Sequence, residues 1–300
     1  MKKKKTRLVL LLVFLIIPKN IVNAQDSNYI SNAKRDILCL MMAYPDFIDD
    51  VVIEDNKIYL VMKSKERILY DDKINKNYSD KIYNADLQDT LEQLYPMNIS
   101  KKIMNENFDP GRFRNYSLLN CLYGKSENEI GKNLVNVNIG YTNAYFNKNN
   151  EAANSLENAM KELVSLTKRD KNTYNFIFPC SGTYNYRYIS GTNLLSPHSY
   201  GIAIDLKYHD NDYWKWNTKE AGEKRLTSYP NEIVEIFENN NFVWGGKWNH
   251  FDILHFEYRP EIILKSKYFS NKSDSKNWYD GAPIEDELVK NIITKIDKII

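Results

Sequence analysis

The sequence predicts an α+β fold, in which helices and short strands follow one another without regular alternation. Three observations support this class: several amphipathic helical segments, short apolar segments bounded by turn residues, and the lack of any internal sequence repeat. A hydrophobic content of 43% and a charged content of 27% are typical of a globular protein. The 300 residues are enough for one large domain or two modest ones.

Residues 25–119 are predicted to form an N-terminal subdomain of unknown role. Its expected elements are a helix over 32–45, a hairpin of 51–53 and 58–61 closed by Asp55-Asn56, and a helix over 86–95. No cluster of chemically reactive side chains stands out here. We therefore expect this part to pack against the remainder of the chain or to contact a substrate.

Residues 120–265 are predicted to form the functional domain. Its expected elements are strands over 134–141, 202–206 and 253–258, helices over 154–166 and 231–239, a short apolar segment over 175–180 and an aromatic turn over 242–248. We expect Asn231 to cap the second helix. That helix should end at the asparagine run 239–241, because asparagine tolerates a left-handed turn.

Residues 266–300 are predicted to form a polar linker, 270–276, and a C-terminal amphipathic helix. Apolar residues recur there at every fourth position: Ile284, Leu288, Ile292 and Ile296. Such a stripe most often packs on the protein's own core. A partner protein or a membrane surface is the alternative.

Residues 1–24 resemble a secretory signal peptide, with a cluster of lysines before an apolar run that is short for a membrane span. An uncleaved N-terminal anchor is the alternative, and both place the body of the protein outside the cytoplasm. Without this segment the chain has 35 basic and 39 acidic residues, a balance of −4, which argues against a nucleic-acid partner. We expect an exported protein, in the periplasm, in the cell envelope or secreted, with no transmembrane span once mature.

Three cysteines, Cys39, Cys121 and Cys180, are an odd number for an exported chain. One disulfide with one free thiol and three free thiols both remain open. None of the three has the paired spacing of a metal site, so we do not expect cysteine to bind a metal.

Two motifs combine the residue types of a hydrolytic metal site. The first runs from His198 to Asp205, and the second contains Asp252, His255 and Glu257. Two histidines and one carboxylate leave one coordination position of zinc open for water, and Asp252 would be the base that takes a proton from this water. Glu257 would orient a ligand.

The spacing within the first motif favours a loop that leads into a strand. His198 and Asp205 are seven residues apart, which does not place them on one helical face, and Gly201 lies between them. In a strand, Ile202 and Ile204 would face the core while Asp205 faces the site. Gly201 would allow the backbone to approach a metal or a substrate closely.

Four segments together resemble the M15 family of zinc peptidases. They are 184–192, 196–205, 244–248 and 252–257, and the resemblance covers about residues 120–262. The family contains D-alanyl-D-alanine carboxypeptidases, VanY-like enzymes and peptidoglycan endopeptidases. The resemblance implies a Hedgehog/DD-peptidase-like fold, in which a small antiparallel sheet has flanking helices. It also implies one zinc ion per chain and peptidoglycan stem peptides as substrates.

The resemblance also implies roles for individual residues. His198, Asp205 and His255 would be the zinc ligands, Asp252 the general acid and base, and Arg187 the group that polarises the scissile carbonyl and stabilises the oxyanion. An arginine suits this role because its charge is permanent. A surface salt bridge is the alternative for Arg187.

Several neighbouring residues have two open interpretations. Ser196 either contacts substrate or shapes the turn before His198. Trp248, like Trp244, lines the cleft or packs in the core. His209 and His250 are interpreted as ordinary surface or loop residues, and a position at the border of the cleft is the alternative for His250.

Two other functions are compatible with parts of this pattern. Two histidines and a carboxylate also form the iron site of non-haem oxygenases, although the first histidine and the acid there are usually two residues apart. A Hedgehog-type domain that binds peptidoglycan without cleaving it is the non-enzymatic alternative. Such a domain would be expected to lack Asp252 or Arg187, and the chain has both. Carboxypeptidase and endopeptidase activity both remain open.

Overall fold

The computed structural model describes residues 24–98, 100–270 and 276–300, and it confirms the α+β class. The helices in this part are α1 (Ala24–Ala43), α2 (Tyr78–Asn84), α3 (Leu87–Glu92), α4 (Tyr116–Tyr123), α5 (Glu127–Lys132), α6 (Ala152–Arg169), α7 (Tyr174–Ile177), α8 (Lys219–Ser228), α9 (Asn231–Asn239), α10 (Pro260–Phe269) and α11 (Glu287–Ile299). The strands are β1 (Ile48–Glu54), β2 (Lys57–Met62), β3 (Arg67–Leu69), β4 (Leu134–Asn138), β5 (Asn143–Asn147), β6 (Ala203–Asp205), β7 (Phe242–Trp244) and β8 (His255–Tyr258). The predicted signal segment up to residue 23 and linker residues 271–275 lie outside the described residues.

The described strands form three small antiparallel sheets, ordered β1-β2-β3, β4-β5 and β6-β8-β7. The predicted hairpin is confirmed. Asp55 and Asn56 have φ angles of 48° and 59°, the left-handed conformation that a two-residue turn requires. Strand β8 begins at His255, two residues later than expected.

The sheet β6-β8-β7 holds the two sequence motifs together. Asp205 in β6 is paired directly with His255 in β8. Behind the sheet, Phe237 of α9 stacks on Phe256 of β8, with ring centroids 4.0 Å apart. The side chains of β8 are all buried, so this strand is fixed on both faces.

Helix α9 has the predicted bounds, but its N-terminus is arranged differently. Pro230 is the N-cap residue and makes no capping hydrogen bond, so the prediction of an Asn231 cap is wrong. The Asn231 side chain instead accepts a hydrogen bond from Lys101 Nζ at 2.5 Å. Asn241 has a φ of 65°, and the expected left-handed turn after the helix is therefore present.

The N-terminal part packs against the C-terminal helices through a shared apolar core. Helix α1 contacts both α10 and α11. Sequence reasoning missed α10, which begins at Pro260, a residue favoured in the first helical turn. Tyr44, just after α1, donates a hydrogen bond to Glu261 of α10 at 2.6 Å. Helix α1 and the two C-terminal helices, α10 and α11, thus stabilise each other.

Helix α11 docks on α1 and β1, with Val289, Ile292, Ile293 and Ile296 buried. The predicted stripe was only half right, since Ile284 and Leu288 are 43% and 44% exposed. No helix of the described residues combines the length and the apolar character needed to cross a membrane. Cys39, Cys121 and Cys180 are free thiols.

Two substitutions on α11 test this packing. Ile296 is fully buried, so we expect Ile296→Ala to lower the free energy of unfolding by about 2–5 kcal/mol. Leu288→Ala on the exposed face serves as the matched control, with an expected change within about 0.5 kcal/mol. Denaturant unfolding of both variants gives the two values. Equal losses would contradict the assigned face of α11.

Candidate metal centre and its cleft

His198 lies in a short 3₁₀ turn, Pro197–Tyr200, directly before β6. The Ser196 hydroxyl caps this turn by accepting a hydrogen bond from the His198 N–H at 3.3 Å. Gly201 ends the turn with a φ of 67°, and a Cβ there would lie 2.7 Å from Leu134 Cδ2. Gly201 is therefore needed for the turn and for packing against Leu134, rather than for the approach of a metal or substrate as expected.

The structure brings His198, Asp205 and His255 together. Their ligand atoms all lie within 4.8 Å of one another. His255 Nδ1 is 2.9 Å from Asp205 Oδ1 and 3.2 Å from His198 Nε2. His198 Nε2 is 3.3 Å from the same Asp205 oxygen. Two imidazole nitrogens and one carboxylate oxygen thus converge on one point.

The outer nitrogens of the two histidines have partners that fix the orientation of the rings. His198 Nδ1 lies 2.5 Å from the Thr183 carbonyl, so this nitrogen carries the proton and leaves the Nε2 lone pair directed inward. His255 Nε2 lies 3.7 Å from Glu257 Oε2, which leaves Nδ1 facing the other ligands. Metal-binding histidines usually have such outer partners, and this donor set fits a divalent ion such as zinc.

Glu257 is fully buried and is held by two arginines. Arg114 donates to its carboxylate from Nη2 at 2.6 Å and from Nε at 3.0 Å, and Arg259 donates at 3.2 Å. Burial would raise the pKa of Glu257, but the charge of Arg114 and the hydrogen bonds hold it well below its usual range. Glu257 is therefore ionised beside His255, in the position expected of a group that orients a ligand.

Arg114 could not be identified from the sequence. It precedes Glu257 by 143 residues, lies just before α4, and belongs to no recognisable motif. The segment around it thus supports a ligand in β8 from outside the predicted functional domain.

The charges of the three converging groups are strongly linked. Burial would raise the pKa of Asp205, but His198 and His255 hold it well below its usual value. Burial would lower the pKa of His255, but its hydrogen bonds with Asp205 and Glu257 raise it to about 10. Without a metal, His255 is therefore a cation at neutral pH, and binding a metal must displace its proton.

The three residues lie in a cleft of about 580 Å³, and the same cleft is lined by Arg187, Ser196, Trp248 and Asp252. Asp252 comes just before β8, where the His255 N–H donates to its carbonyl at 3.1 Å. Burial raises the pKa of Asp252 to about 6, against the opposing effect of nearby His255. The Asp252 carboxylate makes no hydrogen bond with the described residues, so it is available to a ligand.

Arg187 and Ser196 are joined through their backbones at the edge of the cleft. The Ser196 N–H donates to the Arg187 carbonyl at 3.0 Å, and the Arg187 N–H donates to Ser199 Oγ at 2.8 Å. The Arg187 side chain is exposed. Ser196 both caps the turn and lines the cleft.

The two tryptophans have different positions. Trp248 lines the cleft, with its ring centroid 5.7 Å from that of His255 and its Nε1 donating to the Pro110 carbonyl at 2.7 Å. Trp244 is buried, stacks on Phe256 and donates to the Ile253 carbonyl at 2.7 Å. Of the two open interpretations, core packing is therefore the one observed for Trp244.

His250 lines the cleft, so the alternative interpretation of this residue is the one observed. Its ring Nδ1 lies 2.6 Å from Asp109 Oδ2, and its backbone N–H donates to Asp109 Oδ1 at 2.8 Å. Tyr213 and Trp214 also line the cleft, and the aromatic run around them was the sequence signal that was missed. Arg112 lines it as well, without any such signal.

A second group of acids, Asp71, Asp72 and Asp86, also has oxygen atoms within 4.8 Å of one another. Lys76 Nζ lies among these carboxylates, 2.7 Å from Asp72 and 2.9 Å from Asp86. Its ammonium group already pairs with two acids of this cluster, which therefore differs from the His-Asp-His group.

Residues 190–258 match a family model described as D-alanyl-D-alanine carboxypeptidase. The resemblance to the M15 peptidase family is confirmed. The match includes His198, Asp205, Asp252 and His255, and begins just after Arg187. No solved structure matches the chain. Residues 190–258 are therefore similar to the D-alanyl-D-alanine carboxypeptidase family of peptidases.

The support that Arg114 gives to Glu257 can be tested with a matched pair of variants. Arg114→Met leaves Arg259 as the one arginine paired with the buried Glu257 carboxylate, so we expect a loss of up to about 3–5 kcal/mol in the free energy of unfolding. We also expect zinc affinity to fall by about 10- to 100-fold, because His255 loses its fixed outer partner. Calorimetric titration with zinc and denaturant unfolding give the two values.

The control is Arg67→Met, which removes an exposed ion pair with Glu54 and should cost about 0–1 kcal/mol. Arg114→Lys keeps the charge and should recover part of the zinc affinity. An unchanged zinc affinity in Arg114→Met would contradict the proposed support.

The proton on His255 predicts how zinc binding depends on pH. Since the pKa of His255 is about 10 in the metal-free protein, zinc must displace a proton at neutral pH. We expect the apparent zinc affinity to rise between pH 7 and 9, by about tenfold per pH unit for each displaced proton. Titration calorimetry in buffers of different ionisation enthalpy counts these protons. An affinity that does not change with pH would contradict the assignment.

Proposed function

We propose that the chain is an exported zinc metallopeptidase that hydrolyses peptide bonds in peptidoglycan stem peptides. The observation that carries this proposal is the convergence of His198 Nε2, Asp205 Oδ1 and His255 Nδ1 in a cleft that also contains the free carboxylate of Asp252. Three protein ligands with a nearby unpaired acid are typical of hydrolytic rather than structural zinc sites. The confirmed family resemblance supports the same reaction class.

His198, Asp205 and His255 would hold one zinc ion. When bound, zinc acts as a Lewis acid that lowers the pKa of a water molecule to about 7 and polarises a carbonyl group. Glu257, ionised and paired with Arg114, would keep the His255 ring in its binding orientation.

Asp252 would act as the general base and then as the general acid. Burial raises its pKa to about 6, which is suited to accepting a proton from the attacking water near neutral pH. The same carboxyl group would then pass this proton to the leaving amine. Arg187 would stabilise the negative oxygen of the tetrahedral intermediate from the edge of the cleft.

The remaining cleft residues would bind the peptide on either side of the reacting bond. Trp248 offers an apolar ring surface beside His255, and Ser196 offers a hydroxyl group at the cleft wall. We further propose that residues 120–265 form the peptidase domain after removal of a signal peptide, residues 1–24. Residues 25–119 would complete the cleft, and residues 266–300 would stabilise the N-terminal part.

Substitution of Asp252 tests whether the site is catalytic. We expect Asp252→Asn to keep stoichiometric zinc, because Asp252 is not among the three converging residues, and to lose about 100- to 10,000-fold in kcat/KM. Asp46→Asn, at an exposed position, is the control and should match the wild type. Metal analysis and hydrolysis of muropeptides give both measurements. Wild-type rates in Asp252→Asn would contradict this mechanism.

The masses of the muropeptide products identify the bond that is cleaved. Loss of one alanine indicates a carboxypeptidase, and two peptide fragments indicate an endopeptidase. Muropeptide binding by the zinc-loaded wild type without any cleavage would favour a Hedgehog-type binding domain. Stoichiometric iron with oxygen-dependent turnover would contradict the peptidase proposal.

A further inference from the structure

A second cavity, of about 290 Å³, adjoins the metal cleft. The two share several wall residues, among them Arg112, Tyr213, Trp214 and His250. Four basic side chains line the second cavity: Arg112, Arg114, Lys215 and His250. No aspartate or glutamate is found among the described residues that line it, although Glu257 and Asp109 pair with Arg114 and His250 from behind the wall. We refer to this space as the side cavity.

Arg112 is the cation at the junction of the two spaces that has spare hydrogen-bond donors. Its Nη1 donates weakly to the Tyr78 hydroxyl at 3.3 Å and lies 3.9 Å from Asp109 Oδ2. Its guanidinium group lies over the ring of Trp248, 5.8 Å from the centroid. Within the described chain, Nε and Nη2 of Arg112 make no hydrogen bond. Arg114 differs, because Glu257 occupies its donors.

Asp109 lies 3.9 Å from Arg112 and offsets part of its charge, but the Asp109 oxygens have closer hydrogen-bond partners than Arg112. Its Oδ1 accepts from the His250 N–H at 2.8 Å, while Oδ2 accepts from the Tyr78 hydroxyl at 2.5 Å and lies 2.6 Å from His250 Nδ1. Asp109 is fully buried behind these groups. Its carboxylate therefore fixes other side chains and does not face the side cavity.

His250 is held rigidly, with one ring nitrogen unoccupied. Asp109 binds Nδ1, Tyr78 stacks on the ring at 5.1 Å, and Trp214 meets it edge-on at 4.5 Å. Nε2 makes no hydrogen bond with the described residues. The shared wall thus has hydrogen-bonding groups that are available to a ligand beside aromatic rings: Nε and Nη2 of Arg112, and Nε2 of His250.

We propose that the side cavity binds a carboxylate group of the peptide substrate, with Arg112 as the residue that determines this specificity. A guanidinium group with free Nε and Nη2 can bind a carboxylate through two parallel hydrogen bonds. Because Arg112 also lines the metal cleft, the bound carboxylate would set which peptide bond lies at His198, Asp205 and His255. The inference rests on the proposed peptidase function and extends it to the choice of substrate.

The carboxylate can come from the C-terminus of the peptide or from an acidic residue within it. Three synthetic stem peptides distinguish these sources: one with both carboxylates, one with a C-terminal amide, and one with the internal carboxylate amidated. We expect the zinc-loaded wild type to lose about 10- to 100-fold in kcat/KM on one amidated peptide, the one whose bound carboxylate has been removed. A C-terminal preference fits a carboxypeptidase, and an internal one fits an endopeptidase.

Variants of three arginines separate this role from catalysis. Arg112→Gln should abolish the preference, because peptides that carry the bound carboxylate should then be hydrolysed as slowly as the peptide that lacks it. Arg112→Lys should restore part of the preference. Arg187→Gln, at the proposed oxyanion residue, should lower kcat/KM for all three peptides by the same factor. Arg169→Gln, an exposed arginine at the end of α6, is the control and should match the wild type. Zinc content and circular dichroism confirm that each variant is folded.

Two results would overturn the inference: a wild type that treats the three peptides alike, or an Arg112→Gln variant that keeps the wild-type preference. If the wild type hydrolyses none of the peptides, the peptidase proposal fails, but the inference remains testable. Calorimetric binding of the same three peptides to wild type and Arg112→Gln then decides it. An Arg112-dependent preference for one carboxylate supports the side cavity, and equal binding contradicts it.

Discussion

The antiparallel pairing of β6 with β8 determines the geometry of the whole site. Asp205 and His255 are directly opposed in this pairing, which places a carboxylate and an imidazole side by side although 50 residues separate them. A shift by one residue would turn one of these side chains to the opposite face of the sheet. The burial of β8 and the stacking of Phe256 on Phe237 fix the register, so the core also fixes the candidate ligands.

A second constraint connects the N-terminal part to this sheet. Glu257 lies next to His255 and is fully buried, and an ionised carboxylate there requires a cation. Arg114 provides it from the segment before α4, and Arg112 of the same segment lines the cleft. Arg112 and Arg114, from the predicted N-terminal subdomain, therefore contribute to both the packing and the charge of the site.

Sequence reasoning identified the residues whose chemistry is visible locally. The spacing of His198 and Asp205, the alternation of Ile202 to Asp205, and the motif from Asp252 to Glu257 are each contained within a few residues, and the structure brings them together. Arg114 and Asp109 were missed, because their partners Glu257 and His250 lie more than 130 residues away and no local pattern marks such contacts. Arg112 was missed for the same reason, since its contact with the Trp248 ring is equally distant in the chain. Helix α11 shows the same limit, since periodicity indicated a helix but not which face the core would cover.

The position of a bound zinc ion would show whether His198, Asp205 and His255 are its ligands. Anomalous diffraction at the zinc absorption edge, from crystals of the zinc-loaded protein, gives the position of the ion independently of any activity. We expect one strong peak within about 2.0–2.2 Å of His198 Nε2, an oxygen of Asp205 and His255 Nδ1. A peak bound through His255 Nε2, or at a site that does not include these three residues, would contradict this set of ligands.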